Sequence, residues 1–460
     1  MCIYRVCSEQ IIAWANRQER KPLILRGARQ VGKTTLVRMM ADELKLTLVE
    51  INLEQVHSFV PMLSDKSAAI DILEVILLEK GVQEQDPEKL LFFFDEAQEL
   101  PELIPYLRYF YEVAPEYKII IAGSLLEFVL TSRRFSFPVG RVEYAYLHPL
   151  TFNEFLQAVN QAAYKKLTTL NFLKPVSESL HIIFTKHFKD YLLCGGMPGV
   201  VKEFLASSSL TRIDQIKSDI LESYISDLPK YSKYEEHKVD AELLEILLLK
   251  IASSPTKNEA YTKLAPGYRT EVIQLHLKLL EKALLVHRCI HTSAISAPLS
   301  SQANPKIFKL MFLDVGLALT HMGVSVPDIK CSSELNDVAR GMLVEQAIGQ
   351  NLLSNKVSYK KNQLYYWERQ AKSSTAEVDY IFDNKFGVFP LECKSGSSKK
   401  MKALDLLMQE KKLKIAVRLY SGNICLEQIV ATISGKGTAE YKLLSAPHYT
   451  VNHVVDLEIK

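Results

Sequence analysis

The stretch that decides the fold is Gly27-Ala28-Arg29-Gln30-Val31-Gly32-Lys33-Thr34, which fits the pattern Gly-x4-Gly-Lys-Ser/Thr. It follows the apolar run 22–25 and precedes the segment 35–41, whose apolar residues have helical spacing. A strand, a glycine-rich turn and a helix in this order are the context that a phosphate-binding loop, or P-loop, requires. A chance match on an irregular loop is the alternative. The sequence therefore predicts a nucleoside triphosphate site in an α/β fold.

Each residue type of this loop has a physical role in holding a triphosphate. Its glycines let backbone N–H groups curl around a phosphate, and the helix N-terminus adds the positive end of its dipole. Lys33 is expected to reach the terminal phosphates, and the Thr34 hydroxyl is expected to bind Mg²⁺. ATP and Mg²⁺ are the predicted cofactors. The residues predicted to bind the nucleotide here are Gly27, Ala28, Arg29, Gln30, Val31, Gly32, Lys33, Thr34 and Thr35.

A second motif is the segment 90–96, Leu-Leu-Phe-Phe-Phe-Asp-Glu, an apolar run that ends in two carboxylates. Such a run is typical of a buried parallel strand that presents acids at its carboxyl edge. Downstream of a P-loop it predicts a Walker B element. Asp95 would hold Mg²⁺ through water, and Glu96 would polarise the attacking water as the catalytic base. A core strand that merely ends in a polar turn is the alternative.

The next predicted strand, 118–124, ends in Ser124, which can point toward the γ-phosphate and is a candidate sensor. Three arginines follow it, Arg133, Arg134 and Arg141. One of them is a candidate arginine finger, which stabilises charge on the transferring phosphoryl group and is often supplied by a neighbouring subunit. Arg141 is the preferred candidate, although solvated loop charge is the commoner explanation of a single arginine. A finger supplied in this way implies a homo-oligomer.

Length and composition bound the remaining possibilities. A chain of 460 residues is too long for one core and indicates two or three domains. Its 48% hydrophobic and 24% charged residues are typical of a globular protein, so no large disordered portion is expected. A net charge of +3 is too small to imply a nucleic-acid partner by itself.

The cysteines and the apolar runs predict the compartment. The seven cysteines are scattered and show no paired ligand spacing, which argues against a disulfide framework and a zinc site. No apolar run approaches the ~18 residues of a membrane span, and polar residues follow the first five instead of a signal-peptide core. We therefore expect a cytoplasmic protein with no membrane partner.

Four segments within residues 20–155 carry a family resemblance. They are Gly-Ala-Arg-Gln-Val-Gly-Lys-Thr-Thr from residue 27, Phe-Phe-Phe-Asp-Glu-Ala-Gln from residue 92, Ile-Ala-Gly-Ser from residue 121 and His-Pro-Leu-Thr-Phe-Asn-Glu-Phe from residue 148. Together they resemble the prokaryotic AAA-type ATPases that carry a C-terminal domain of unknown function, in which Arg29-Gln30 is distinctive. The resemblance extends over nearly the whole chain.

The resemblance implies an α/β protein of three parts. Residues 1–160 would form an AAA-type P-loop ATPase domain, 161–328 a helical and winged-helix region, and 329–460 a PD-(D/E)XK nuclease-like α/β domain. The family supplies no settled cellular role.

The middle region shows the pattern that this division requires. Segment 260–290 reads as helix, turn, helix and strand, as in a winged helix-turn-helix, whose second helix can enter the major groove of DNA. Winged helices also serve as rigid protein contacts, so DNA binding and a purely structural role both stay open. Helical spacing occurs at 152–162, 176–193, 213–228 and 239–252. In the second helix of the motif, phosphate contacts are open to Arg269, Lys278 and Lys282, whereas Thr270, Gln274 and His276 are unremarkable as base readers.

The C-terminal part contains Glu345 on a predicted helix, then Asp379, Glu392 and Lys394 on two predicted strands. Because side chains alternate along a strand, Glu392 and Lys394 share one face, and Asp379 can meet them from the neighbouring strand. This order resembles the PD-(D/E)XK nuclease core. A structural salt bridge between Glu392 and Lys394 is the alternative.

The residue types suit phosphodiester cleavage. Carboxylates from Glu345, Asp379 and Glu392 collect one or two Mg²⁺ ions, which polarise a phosphodiester and lower the pKa of bound water, while Lys394 orients that water. The fold also persists in inactive binding domains. Lysines at 399–402 and 411–414 are candidates for contacting a DNA backbone, and a solvated helical face is an equally good interpretation.

Taken together, the sequence predicts a cytoplasmic AAA-type ATPase whose ATP cycle controls a nuclease-like domain that acts on DNA. The alternative is an ATP-dependent switch or signalling protein whose C-terminal domain and winged helix only bind. Metal-dependent DNA cleavage separates the two hypotheses.

Overall fold

The computed structural model describes residues 3–55, 57–65, 68–130, 138, 140–207, 209–235, 238–324, 337–354, 359–371, 375–396, 401–433 and 437–458. Two candidate finger residues, Arg133 and Arg134, lie outside these ranges, as do Lys399 and Lys400 of the predicted basic segment. Among the helices within these ranges, none combines the length and the apolar character that a membrane crossing requires.

The N-terminal part is built around a parallel sheet. Its strands are β1 (Leu23–Arg26), β2 (Thr47–Asn52), β3 (Leu90–Asp95), β4 (Lys118–Ala122) and β5 (Glu143–Tyr146). Its helices are α1 (Val6–Ala15), α2 (Lys33–Leu44), α3 (Ala69–Lys80), α4 (Leu103–Val113) and α5 (Leu126–Leu130). The sheet order is β2-β3-β4-β1-β5, and all neighbours pair in parallel. The carboxyl ends of the strands therefore share one edge.

The apolar run at 90–94 forms a strand because it is buried on both faces of this sheet. Leu91 and Phe93 pack into one core, whereas Phe92 and Phe94 pack into the core on the opposite face. Leu23 and Ile24 of β1 divide between the same two cores. Such double burial is expected for the inner strands of a parallel sheet covered by helices. The prediction of strands at 22–25 and 90–95 is confirmed.

The middle part is helical, as predicted. Its helices are α6 (Phe152–Val159), α7 (Gln161–Thr168), α8 (Glu178–Cys194), α9 (Pro198–Ala206), α10 (Leu210–Asp227), α11 (Ala241–Ser253), α12 (Tyr261–Leu264), α13 (Thr270–Lys282) and α14 (Val315–His321). A capping box starts α6, in which the Thr151 and Glu154 side chains each bond the other's backbone N–H. This cap lies within the segment that begins at His148.

The C-terminal part contains a mixed sheet. Its strands are β6 (Val286–Thr292), β7 (Ala303–Phe312), β8 (Leu364–Glu368), β9 (Glu377–Asn384), β10 (Gly387–Cys393), β11 (Ile415–Tyr420), β12 (Cys425–Ile433) and β13 (Gly437–Pro447). The order is β12-β13-β11-β10-β9-β8-β6-β7. The remaining helices are α15 (Asp337–Ser354), α16 (Lys402–Lys411) and α17 (Val451–Val454).

Two helices cover opposite faces of this sheet. Ala347 and Ile348 of α15 share a core with Leu391 of β10, whereas Leu404 and Leu407 of α16 pack in a separate core. Strands β6 and β7 precede position 328, yet β6 pairs in parallel with β8. One sheet therefore contains strands from both sides of the predicted boundary at 328, so the two predicted parts 161–328 and 329–460 share a sheet.

Candidate functional site

The P-loop joins β1 to α2, and its backbone explains the two glycines. Gly32 has a φ of 97° and Gln30 a φ of 62°, which are left-handed conformations that favour residues without a bulky Cβ. A Cβ on Gly27 would lie 2.5 Å from the carbonyl oxygen of Leu147. The geometry therefore accounts for glycine at both positions.

Lys33 lies inside this turn. Its side chain is buried, and its Nζ donates to the carbonyl oxygens of Gly27 and Ala28, each at 2.9 Å. Burial lowers the pKa of Lys33 to about 8, because the nearby Glu96 and Asp95 charges only partly offset the loss of hydration. The loop thus holds a buried ammonium group whose hydrogen-bond partners are uncharged.

The two residues predicted to hold Mg²⁺ in this site touch each other. Thr34 Oγ1 donates to Asp95 Oδ2 at 2.6 Å, and Asp95 ends β3 at the same sheet edge as the P-loop. Burial raises the pKa of Asp95, while the Thr34 hydrogen bond opposes this shift. A hydroxyl and a carboxylate in contact beside the P-loop fit the donor set that Mg²⁺ takes in nucleotide sites.

The residue after Asp95 adopts an unusual conformation. Glu96 has φ 54° and ψ 44°, a left-handed backbone that is uncommon for a non-glycine residue and occurs often at functional sites. Its Oε2 accepts from Gln98 Nε2 at 2.8 Å and from Ser124 Oγ at 3.5 Å. The predicted base and the predicted sensor therefore meet at the edge that carries Lys33.

Two side chains of the loop point away from its turn, toward α10. Arg29 forms an ion pair with Asp227, and Gln30 Nε2 donates to Ser223 Oγ at 2.9 Å. Tyr224 donates its hydroxyl to the Arg29 carbonyl oxygen at 2.7 Å. The sequence did not predict this contact, because no local pattern marks a helix so distant in the chain. Ala28 and Val31 are buried, and Thr35 is half-buried in α2.

Arg141 lies at the other edge of the sheet, before β5 begins. Its Nε pairs with Glu112 Oε1 at 3.1 Å, and its side chain is 45% exposed. Since the P-loop follows the opposite end of β1, Arg141 does not meet the P-loop of its own chain. A role as a finger would require a second copy of the chain.

In the predicted reader helix, α13, one of the polar residues considered for DNA contact is buried. His276 is 1% exposed, and its ring bonds the Asp240 N–H and the Val272 carbonyl oxygen. It is therefore unable to read a base edge. Lys282 pairs with Glu235 at 2.5 Å. Arg269 and Lys278 are exposed, and Thr270 and Gln274 are partly exposed.

Three carboxylates converge in the C-terminal part. Glu345 of α15 and Glu377 and Asp379 of β9 each place an oxygen within 4.8 Å of the others. Asp379 Oδ2 also accepts from the Cys393 N–H at 2.6 Å, which ties this carboxylate to the end of β10. The structure brings the predicted Glu345 and Asp379 together and adds Glu377, which the sequence analysis missed.

A lysine from β7 enters the same cluster. Lys309 is fully buried, and its Nζ lies 2.6 Å from Glu345 Oε1 and 3.0 Å from Glu377 Oε1. Its Nζ also lies 5.2 Å from the centre of the Tyr366 ring and 5.1 Å from that of Tyr380. Burial alone would lower the pKa of Lys309, but the surrounding carboxylates outweigh it and hold this pKa well above its ordinary value.

The other predicted pair lies next to this cluster. Lys394 Nζ contacts Glu392 Oε1 at 2.5 Å, so the salt bridge considered as an alternative is present. Glu392 is 5% exposed, and its Oε2 has no hydrogen-bond partner among the described residues. Burial, reinforced by the charge of Asp379, raises the pKa of Glu392. The free oxygen and the converging acids fit a divalent cation.

Three family descriptions match successive parts of the chain. Residues 19–156 match the family described as AAA domain. Residues 185–328 match a domain of unknown function, DUF8612, and residues 340–433 match a second one, DUF4143. Residues 19–156 form an AAA-type P-loop ATPase domain. A search of the curated proteins found no match.

Solved structures resemble the chain only distantly. The Walker-type ATPase paby2304 of Pyrococcus abyssi has 15% identity and a TM-score of 0.43, covering 69% of this chain and 95% of its own. AMPPCP-bound DnaA from Aquifex aeolicus has 13% identity and a TM-score of 0.28, with 61% and 89% covered. The Aeropyrum pernix ORC1 protein in complex with DNA has 9% identity and a TM-score of 0.27, with 70% and 92% covered. At these TM-scores the likeness carries no argument about partners.

Glu377 and Lys309, the two members of the acidic cluster that the sequence did not predict, differ in how far the sequence could have revealed them. Glu377 stands two residues before Asp379, so a Glu-x-Asp pattern on one strand was a usable signal. Lys309 gave no such signal, because it reaches Glu345 only through the pairing of β7 with the sheet. Contacts of this kind depend on tertiary structure.

Proposed function

We propose that the chain is a Mg²⁺-dependent ATPase whose nucleotide state controls a metal-dependent, nuclease-like C-terminal domain that acts on DNA. The observation that carries this proposal is the convergence of Glu345, Glu377 and Asp379, with Glu392 beside Asp379 and with two lysine side chains paired to these acids. These acids come from three separate elements, and surface charges scattered at random would not converge in this way.

In the AAA domain, the proposed roles follow from the contacts. Lys33 binds the terminal phosphates, since its hydrogen-bond partners are uncharged carbonyl oxygens and the nearby Glu96 and Asp95 charges offset its burial only in part. Thr34 and Asp95 hold Mg²⁺, which would neutralise phosphate charge. Glu96 accepts a proton from the attacking water, and Ser124 orients Glu96 through the contact between their side chains.

In the C-terminal part, Glu345, Asp379 and Glu392 are the proposed metal ligands, and Glu377 is a fourth candidate. A bound divalent ion would polarise the phosphodiester and lower the pKa of water. Lys394 would orient that water or carry charge at the leaving oxygen. The exposed Lys402, near the start of α16, and other lysines that follow the helix supply positive charge for a DNA backbone.

A buried polar network supports the proposed coupling between the two sites. Asp314 is fully buried, and it accepts from the Gly196 N–H at 2.6 Å and from Gln350 Nε2 at 3.0 Å. Gln350 belongs to α15, the helix that carries Glu345. The turn at Gly196 leads into α9, whose Pro198 lies 3.5 Å from where a Cβ on Gly32 would stand. Movement of the P-loop therefore has a packed route to the acidic cluster.

The experiment is cleavage of supercoiled plasmid and branched DNA by the full-length protein, with Mg²⁺ or Mn²⁺ and with or without ATP. We expect the parent protein to nick DNA in a metal-dependent way. Asp379→Asn should abolish this nicking, whereas the control Asp383→Asn, farther along the same strand, should retain it. Intact DNA under every metal and nucleotide condition, with no metal bound, would refute the nuclease proposal. Cleavage that persists in Asp379→Asn would remove this residue from the site.

One observation favours the rival function, a nucleotide-dependent switch with a binding-only C-terminal domain. Lys309 and Lys394 already pair with three of the four carboxylates, so the acids are partly neutralised by the protein itself. In that case the acidic-site variants would change stability without changing any cleavage. Nucleotide-dependent DNA retention in a gel-shift assay, without nicking, would favour the switch.

Assembly is a separate proposal that rests on Arg141. Because Arg141 lies at the sheet edge away from its own P-loop, a finger role requires a neighbouring copy. ATP turnover per subunit should then rise with protein concentration, and Arg141→Ala should remove that rise. Arg108→Ala, which removes another partner of Glu112, is the matched control.

A further inference from the structure

Lys309 distinguishes this acidic cluster from one built of carboxylates alone. Its ammonium group bridges Glu345 and Glu377, and it comes from β7, in the region that matches DUF8612. Glu345, Glu377 and Asp379 belong instead to the region that matches DUF4143. The cluster is therefore complete only when both regions are folded together.

We propose that Lys309 is a built-in cation of the acidic site, which stands in place of one of two metal ions, so that the site binds a single divalent ion. This inference rests on the proposed metal-binding function of the same residues. Lys309 acts here as a positioning residue, because it fixes the Glu345 and Glu377 carboxylates.

The position of the ammonium group is the first argument. Paired catalytic metals stand roughly 3.5–4 Å apart and share carboxylates between them. Lys309 Nζ lies 2.6 Å from Glu345 Oε1 and 3.0 Å from Glu377 Oε1, so it pairs with one oxygen of each carboxylate and places its positive charge where a second ion would stand. The proposed ligands of the single ion are Asp379 and the adjacent Glu392.

The balance of charge is the second argument. The cluster has three carboxylates, from Glu345, Glu377 and Asp379, and Glu392 beside it adds a fourth; Lys309 and Lys394 supply two ammonium groups. The ionised site thus has two uncompensated negative charges, which one divalent ion neutralises. A second divalent ion would leave two excess positive charges in a site where Lys309 and Glu392 are buried and the other acids are partly buried, and uncompensated charge in such surroundings is costly.

The third argument is that Lys309 is held in place. Its side chain is fully buried, and the Tyr366 and Tyr380 rings lie on the cation within cation–π distance. Tyr380 also donates its hydroxyl to the Glu345 carbonyl oxygen at 2.9 Å, which fixes this ring against α15. Glu392 Oε2, which is buried beside Asp379 and has no hydrogen-bond partner among the described residues, is an acceptor available to the ion.

The test is to count bound ions by Mn²⁺ titration of the full-length, nucleotide-free protein, using calorimetry and EPR. The double variant Asp379→Asn, Glu392→Gln reports ions bound elsewhere, and its count is subtracted. We expect one uncoupled Mn²⁺ in the parent. Lys309→Met, which keeps length and removes charge, should bind two with a spin-coupled signal. Lys306→Met, an exposed change on the same strand, should bind one.

The other outcomes separate this inference from the function on which it rests. Two coupled ions in the parent would overturn the inference and leave the metal site intact, and this measurement needs no variant to fold. One ion in both the parent and Lys309→Met would also overturn it. No ion in either would refute the proposed metal site itself. No ion in the parent but one in Lys309→Met would mean that the ammonium replaces the only ion, which contradicts the proposal.

Discussion

The P-loop site and the acidic cluster each contain a buried lysine, and the two lysines have opposite electrostatic surroundings. Lys33 bonds backbone carbonyl oxygens, and its pKa is lowered to about 8 by burial. Lys309 bonds carboxylates, and these outweigh burial to raise its pKa. A buried cation without a paired anion is suited to receive an anionic ligand. A buried cation that the protein has already neutralised instead fixes the groups around it.

The two sites also differ in how the chain assembles them. The P-loop is one continuous segment completed by the ends of β3 and β4, at a shared sheet edge. The acidic cluster takes its side chains from β7, α15 and β9, and Glu392 of β10 lies beside it. The first site should therefore tolerate changes in the second, provided that both regions remain folded.

The largest expected effect tests this independence. Glu96→Gln should lower ATP turnover by roughly 10²–10⁴-fold, because the amide cannot accept the proton of the attacking water. ATP binding should remain, since Glu96 does not hold the phosphates. Asp379→Asn should leave turnover unchanged. Steady-state phosphate release, with ATP affinity measured by calorimetry, gives both quantities.

Glu102→Gln, an exposed change shortly after the Walker B segment, is the control and should keep full turnover. If Glu96→Gln turned over ATP at the parent rate, Glu96 would not be the base. If Asp379→Asn slowed ATP turnover, the two sites would be coupled more closely than separate assembly predicts.

The next effect concerns the network that joins the sites. The Asp314 carboxylate accepts hydrogen bonds from the N–H groups of Gly196, Gly316 and Leu317 and from the Gln350 side chain. The Asp314→Asn substitution keeps the shape of the side chain but replaces one carboxylate oxygen with an NH₂ group, which then faces hydrogen-bond donors. Loss of such bonds in the interior should lower the free energy of unfolding by about 2–4 kcal/mol. Chemical denaturation measures it.

The exposed Asp219→Asn serves as the control for this change and should stay within about 0.5 kcal/mol of the parent. A parent-like stability of Asp314→Asn would mean that the network rearranges at little cost. It would then be a poor candidate for transmitting a change at the P-loop to α15.

The sequence predicted the N-terminal sheet well because its signals are local. The apolar run at 90–94 has no helical period, and its burial on both faces accounts for the strand that forms there. The contact of Thr34 with Asp95 follows from the same logic, since both stand at carboxyl ends of parallel strands or just beyond them. Their roles in catalysis remain predictions.

The rest depended on contacts that no local pattern encodes. Arg29 and Gln30 were assigned to the nucleotide, yet their side chains contact Asp227 and Ser223 of α10. Strand β6 was expected in a winged helix, and it also pairs with β8. Lys309 became visible only through that sheet, because neither lysine of β7, Lys306 or Lys309, carries a local sign of the distant acid that it will meet.

The smallest expected effect sharpens the comparison of the two lysines. In the free protein Lys33 loses its proton as the pH rises through about 8, whereas a bound triphosphate keeps it charged. ATP binding should therefore take up a proton above pH 8, and affinity should fall by up to about tenfold per pH unit there. Below pH 8, where Lys33 is already protonated, its titration should not change the affinity for ATP.

The same shift has a defined sign for stability. The folded-state pKa of Lys33 lies below its ordinary value, so the unfolded chain binds the proton more tightly and the contribution of Lys33 to stability rises with pH above about 8. For Lys309 the sign is reversed. Its folded-state pKa is raised, so its stabilising contribution is complete below its ordinary pKa and is lost as pH rises through the folded value.

Calorimetry of ATP binding between about pH 7 and 9.5, in two buffers of different ionisation enthalpy, measures affinity and proton uptake together. Lys33→Arg retains charge over this range and should lose the pH dependence even if its affinity is lower. Lys309→Met should keep it, because that lysine faces carboxylates and not the nucleotide. A flat parent profile without proton uptake would mean that Lys33 stays charged in the free protein. The contrast between Lys33, which has no paired anion in the free protein, and Lys309, which the protein's own carboxylates neutralise, would then fail.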